Sequence, residues 1–125
     1  MNIEIKTIPH AEQRYPTCGD WWEDADGAHF RISDLGRGDW ELCIALHELV
    51  EWFLCGVSGV TQKSVDAFDR EFEKNRAPGN TDEPGNDPRA PYYKQHFAAT
   101  TVERVAALVL GVDWDEYEKQ INALP

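Results

Sequence analysis

His47, Glu48 and Glu51 interrupt the segment Leu42–Cys55, LCIALHELVEWFLC, which is otherwise apolar around almost its whole circumference. Ionisable groups in such a setting cost several kcal/mol unless a partner or a cation compensates them. On a helix, His47 and Glu51 stand one turn and about 40° apart, with Glu48 on the flank of the same sector. Leu42, Leu46, Leu49, Val50 and Phe53 fill the opposite side. An imidazole and a carboxylate at i and i+4 can reach one ion, while a carboxylate at i+1 leans over it without ligating. The spacing predicts a metal-binding helix. Two plainer outcomes use the same residues: a buried hydrogen-bonded or salt-bridged cluster, and a polar face turned to water.

The run His47-Glu48-Leu49-Val50-Glu51 resembles the His-Glu-x-x-His helix of the zincins, with Glu51 standing where the second histidine would be. The resemblance implies zinc, and the mixed His/Glu donors also suit manganese or iron. It further implies Glu48 as general base in a metal-dependent hydrolase of amides or esters. A strand at His29 to Ser33 ahead of the helix extends the likeness to small zincin-type metallopeptidases, in which a sheet edge holds an extended peptide. No downstream signature supplies the usual third ligand, so a purely structural ion stays open beside the hydrolase.

The missing ligands have few sources. His96 is the only other histidine placed on a helix, because His10 and His29 fall in the sheet region. It shares a stripe with Glu103 seven residues on, about 20° away, and Ala99, Ala106 and Ala107 would let a second helix approach closely. Asp69 borders the apolar stripe of Val65 and Phe72, whereas Asp66 and Glu73 point further toward solvent, which makes Asp69 the fourth candidate. Glu103 fits behind a ligating imidazole, accepting its spare N–H and fixing its tautomer. A structural histidine and a surface carboxylate are the bland readings of His96 and Asp69.

Around these residues the chain divides by period. Ile3, Ile5 and Thr7 alternate with Glu4 and Lys6 as a half-exposed strand. Trp21 to Glu23 and His29 to Ser33 form a hairpin about Asp24-Ala25-Asp26-Gly27, with Phe30 and Ile32 on one face. Arg14-Tyr15-Pro16-Thr17-Cys18-Gly19 leads into the middle strand. Residues 1–36 thus predict a small antiparallel sheet of two or three strands. From Asp39 the pattern is helical, and Gly56 is expected to stop the first helix. Thr61 or Ser58 caps a second helix to about Lys74 with Val65, Phe68 and Phe72 inward. An irregular connection spans 75–91, a third helix runs from Tyr92 to Leu110 before Gly111, and Asp113 caps a short fourth. The prediction is one α+β domain over 1–125, a sheet followed by three to four packed helices through 39–124.

The 125 residues are 42% hydrophobic with five tryptophans, enough for one ordinary core. Trp21, Trp22, Trp40 and Trp52 are expected to pack sheet on helices rather than form an exposed aromatic surface. Cys18, Cys43 and Cys55 are odd in number and lack CxxC spacing, which favours reduced thiols and a cytoplasmic setting. A net charge of −11 opposes direct binding to nucleic acid phosphates, although it would suit a decoy of the DNA backbone. No membrane segment is expected, and the partner class left is a protein or peptide.

The segments RYPTCGDWW, HELVEWFLC, VDAFDREFE, EPGNDPRAPYYKQHFAATTVER and LGVDWDEY are similar to a group of small uncharacterised proteins of tailed phages and prophages, over most of the chain. The resemblance implies a phage origin, hence the host cytoplasm, and no activity or residue role. Two alternatives accompany the hydrolase. One is a non-enzymatic acidic interaction protein with a structural metal or buried polar cluster, in which Glu48 would pair with a neighbour such as Arg104. The other rests on Glu48-x-x-Glu51 and Asp66-x-x-Asp69, which resemble the paired acids of all-α nucleoside triphosphate pyrophosphatases. It implies magnesium and no part for His47 or His96.

Overall fold

The turn at Ala25-Asp26 closes a hairpin between β2 (Gly19–Asp24) and β3 (Gly27–Ser33), with Trp21 opposite Phe30 and Gly19 opposite Ile32. Gly27 sits at φ 128°, and a Cβ there would collide with the backbone of Asn2, so the tight end of the hairpin requires glycine. In the computed structural model, which describes residues 1–125, the third strand, β1 (Ile3–Ile8), pairs with the other side of β3.

The strand order is β1-β3-β2, with β1 parallel to β3 and β2 antiparallel to it. The sheet is therefore mixed rather than wholly antiparallel. Its centre is β3, and the strand entered through Arg14 to Gly19 is an edge. Sequential hairpins would have paired β1 with β2. Instead the connection through a 3₁₀ turn at His10–Glu12 lets β3, with buried Phe30 and Ile32, take the middle. This arrangement also removes β3 from service as a substrate-binding edge, because both its sides are already paired.

Four helices follow: α1 (Gly38–Ser58), α2 (Gln62–Lys74), α3 (Tyr93–Leu110) and α4 (Trp114–Asn122). The α+β arrangement of a three-stranded sheet and four helices is as expected. α1 runs past Gly56 and ends at Gly59, whose φ of 75° supplies the left-handed cap that lets its N–H reach Cys55 and Gly56 carbonyls. Thr61 caps α2 by accepting from the Ser64 N–H, Gly111 closes α3 at φ 71°, and Asp113 caps α4 through the Glu116 N–H.

Two apolar clusters lie along α1. Trp40, Cys43 and Ile44 pack with Ile32, Ala107, Val112 and Tyr117 at one end. At the other, Cys55 packs with Trp21, Phe30, Val65 and Tyr92. His47 and Glu51 fall between them on the same buried sector. Leu42 and Phe53, expected to fill the opposite side, are instead half-exposed there. The segment 75–91 contains a 3₁₀ turn at Pro84–Asn86 and buries Gly85 and Ala90. No helix is long and apolar enough to cross a membrane.

Trp21 and Trp40 are buried and Trp52 packs edge-on to Phe30, so these three fill the seam between layers, whereas Trp22, one residue on from Trp21, lies on the outer face of the sheet, stacked on His29 between Arg14 and Arg31. The three cysteines are free, with Cys43 and Cys55 fully enclosed.

Candidate metal centre

α1 and α3 pack antiparallel, because His47 meets Glu103 while Glu51, one turn on, meets His96. Ala99 and Ala107 are buried between the helices, and their small side chains let the facing polar groups touch. The result is a buried group of three ligand atoms: His47 Nε2 to His96 Nδ1 is 3.2 Å, His47 Nε2 to Glu51 Oε2 is 3.2 Å, and His96 Nδ1 to Glu51 Oε2 is 2.8 Å. Three donors each about 2.0–2.2 Å from one cation stand this far apart. No other group of three or more His, Cys, Asp or Glu converges in this way.

The surroundings orient each donor. His47 Nδ1 lies 2.8 Å from Glu103 Oε1, and the Tyr117 hydroxyl donates to the other Glu103 oxygen at 2.5 Å. With its Nδ1–H given to Glu103, neutral His47 has a lone pair at Nε2 aimed at the group. Trp21 Nε1 donates to Glu51 Oε1 at 3.1 Å, so only Oε2 faces the imidazoles. His96 Nε2 comes within 2.9 Å of Glu83 Oε2 but off the line of a hydrogen bond. Gly85 lies flat against the His96 ring, and a Cβ at that position would overlap it.

Charge in the group is shared. Burial alone would raise Glu51, but hydrogen bonds from His47 and His96 hold its carboxyl at about 2. Burial disfavours the imidazolium of His47, yet Glu103 and Glu51 outweigh it and hold the ring well above its ordinary value. Burial likewise opposes His96, and Glu51 with Glu83 pushes it up to about 9. A cation held here would therefore compete with protons for the same lone pairs.

The remaining sequence-predicted residues fall around this group rather than in it. Glu103 stands behind His47, at the Nδ1 side of the ring away from the three converging atoms. Asp69 is buried on α2 and lines the same cavity, but its carboxylate is held by the hydroxyls of Tyr92 and, at 3.4 Å, Tyr15, outside the three-atom group. Its distance from the imidazoles follows from α2 packing on the Tyr92 side of the site. Burial raises Asp69 to about 7 despite the Tyr92 hydrogen bond.

Glu48 lines the cavity with no hydrogen bond or ion pair, its carboxylate against Gly19, where a Cβ would come 2.7 Å from Oε1. Burial and the neighbouring Glu51 carry Glu48 well above the usual carboxylate range. Arg104 does not pair with it and instead lies over the Trp114 ring, 4.4 Å from the centroid. The cavity, about 290 Å³, also contains Glu51, Asp66, Asp69, His47 and His96. Of the paired acids, Asp66 faces Arg14 and Asp69 the tyrosines, so the four carboxylates do not converge as the pyrophosphatase pattern requires.

Trp21, Glu83, Gly85 and Tyr117 escaped the sequence reading. Trp21 is expected from the sequence to pack, which it also does, and nothing in a single chain marks the second use of its indole N–H or of the Tyr117 phenol. Glu83 and Gly85 sit in the irregular 75–91 segment, where periodicity is silent. The length of that segment was the only signal that it serves a site. No family model, curated protein or solved structure matches the chain.

Proposed function

We propose that this protein is a metal-dependent hydrolase whose cation is held by His47, Glu51 and His96, with Glu48 as general base. The observation that carries the reading is the convergence of the three donor atoms within 3.2 Å of one another beside an open cavity. A His₂Glu set matches three-ligand catalytic zinc, and iron and manganese accept the same donors. Bound there, such a metal supplies a Lewis acid and lowers the pKa of coordinated water.

The chain's own residues do the rest. Glu103 and Tyr117 lock the His47 tautomer, Trp21 restricts Glu51 to one oxygen, and Gly85 seats the His96 ring. Glu48 faces the cavity without a partner, and burial beside Glu51 raises its affinity for a proton, which suits a base that accepts a proton and returns it to a leaving group. A purely structural ion would favour a closed four-ligand shell. Asp69, the fourth candidate, is engaged by two tyrosines, which supports the open reading. The phage resemblance contributes only a setting, the host cytoplasm, and no residue's role.

Elemental analysis of the purified protein tests the centre. About one equivalent of zinc, manganese or iron per chain is expected, lost in His47→Ala and His96→Ala. A parent that neither carries nor takes up a transition metal would overturn it. Glu48→Gln should retain the metal and lose hydrolysis of a fluorogenic peptide library and of p-nitrophenyl acetate. If metal-loaded parent and Glu48→Gln are equally inert on both, the hydrolase falls and the structural centre stands.

A further inference from the structure

The side of α1 and α3 turned away from the site is apolar and has nothing packed on it. On α1, Leu42, Phe53 and Val57 are 49, 59 and 67% exposed, with Leu46, Leu49 and Val50 partly so between them. On α3, Phe97, Val105, Leu108 and Val109 are 67, 58, 80 and 81% exposed, and Val102 is also open. Spacings of three and four residues line these positions along each helix. The antiparallel packing that joins His47 to Glu103 and Glu51 to His96 also sets Leu42 level with Leu108 and Val109, and Phe53 level with Phe97.

We infer that this face is the interface between two copies of the chain, the helix pair of one packing on that of the other as a four-helix bundle. Eight large apolar side chains open to this extent present on the order of 800 Å², what each partner contributes to a standard interface. That exceeds the patch of roughly 300–600 Å² that a typical monomer leaves exposed. An antiparallel helix pair is self-complementary under a two-fold axis, so one copy supplies the ridges and grooves the other needs.

Charge argues against other occupants. α1 has no lysine or arginine and α3 only Lys94 and Arg104, in a chain of net charge −11, so an anionic membrane surface is repelled. The site opens on the other side of both helices, toward Trp21 and Glu83, and stays accessible in the pair. The proposal does not depend on the metal.

Sedimentation equilibrium of the full chain at about 50 µM and physiological salt tests it. Twice the 14.3 kDa chain mass is expected. Val105→Glu/Val109→Glu, and separately Phe53→Glu, should each weaken association at least 100-fold without loss of helical circular dichroism, since these side chains are open in the single chain. Raising the salt should tighten the pair, because two copies of like charge repel. A parent that sediments as a single chain, a dimer unmoved by both substitutions, or one that loosens with salt would each overturn the inference.

Discussion

At the residue scale the centre is a set of donors each fixed by a second group, and the two kinds of support should respond differently to substitution. Glu103→Gln keeps an acceptor for the His47 Nδ1–H but removes the charge that strengthens it. Metal affinity should fall about 10- to 100-fold without vanishing, read by competition with a chromophoric chelator. Unchanged affinity would show that Glu103 serves packing alone. Asp69 gives a pH signature. Its folded value of about 7 lies above the unfolded 3.8, so the folded state favours the protonated acid. Asp69 therefore contributes stability in acid that is lost as the pH rises through 7. Asp69→Asn, which can still accept from Tyr92, should melt higher than the parent at pH 8 and lose that advantage by pH 4. A difference independent of pH would refute the protonated, tyrosine-capped carboxyl. How far these residues were legible in the sequence follows their surroundings. His47, Glu51, His96 and Glu103 stood out because a polar group on an apolar helical stripe demands compensation. Trp21 and Tyr117 did not, because an aromatic residue in a core raises no such question until its polar atom is seen to have a partner.

At the element scale the helices were readable and the irregular parts were not. The 3.6-residue period and the caps at Thr61, Gly111 and Asp113 placed α2, α3 and α4 to within a residue or two. α1 overran its expected stop because Gly56 and Gly59 both qualify as terminators, and only the backbone shows which adopts positive φ. The strand pattern gave β1 its existence but not its partner, since alternation is indifferent to parallel or antiparallel pairing. The 75–91 segment matters for one residue above all. Gly85→Ala would push a methyl group into the His96 ring, and either the ring or the 3₁₀ turn must shift. A loss of metal affinity of about tenfold or more is expected, as for other groups that orient a ligand, while melting of the metal-free protein falls little. A large destabilisation with affinity unchanged would place the role of Gly85 in the turn instead.

At the scale of the whole molecule, the sheet supplies one partner of the buried polar group, Trp21, and the helices supply its two imidazoles and Glu51, so the interior is polar where the layers meet and apolar at either end. Acidity outside and aliphatic cover on α1 and α3 coexist because most of the charge lies on the sheet turns, the 75–91 segment, α2 and α4, while the outer helix pair carries only Asp39, Glu41, Lys94 and Arg104 as charges away from the site. The two imidazoles lie 49 residues apart in the chain. During synthesis His47 emerges with its helix well before His96 exists, and N-terminal parts fold first. The pocket between them comes into being only when α3 closes on α1, so an α1 that folds early holds one imidazole and one carboxylate, an incomplete donor set, until α3 has docked.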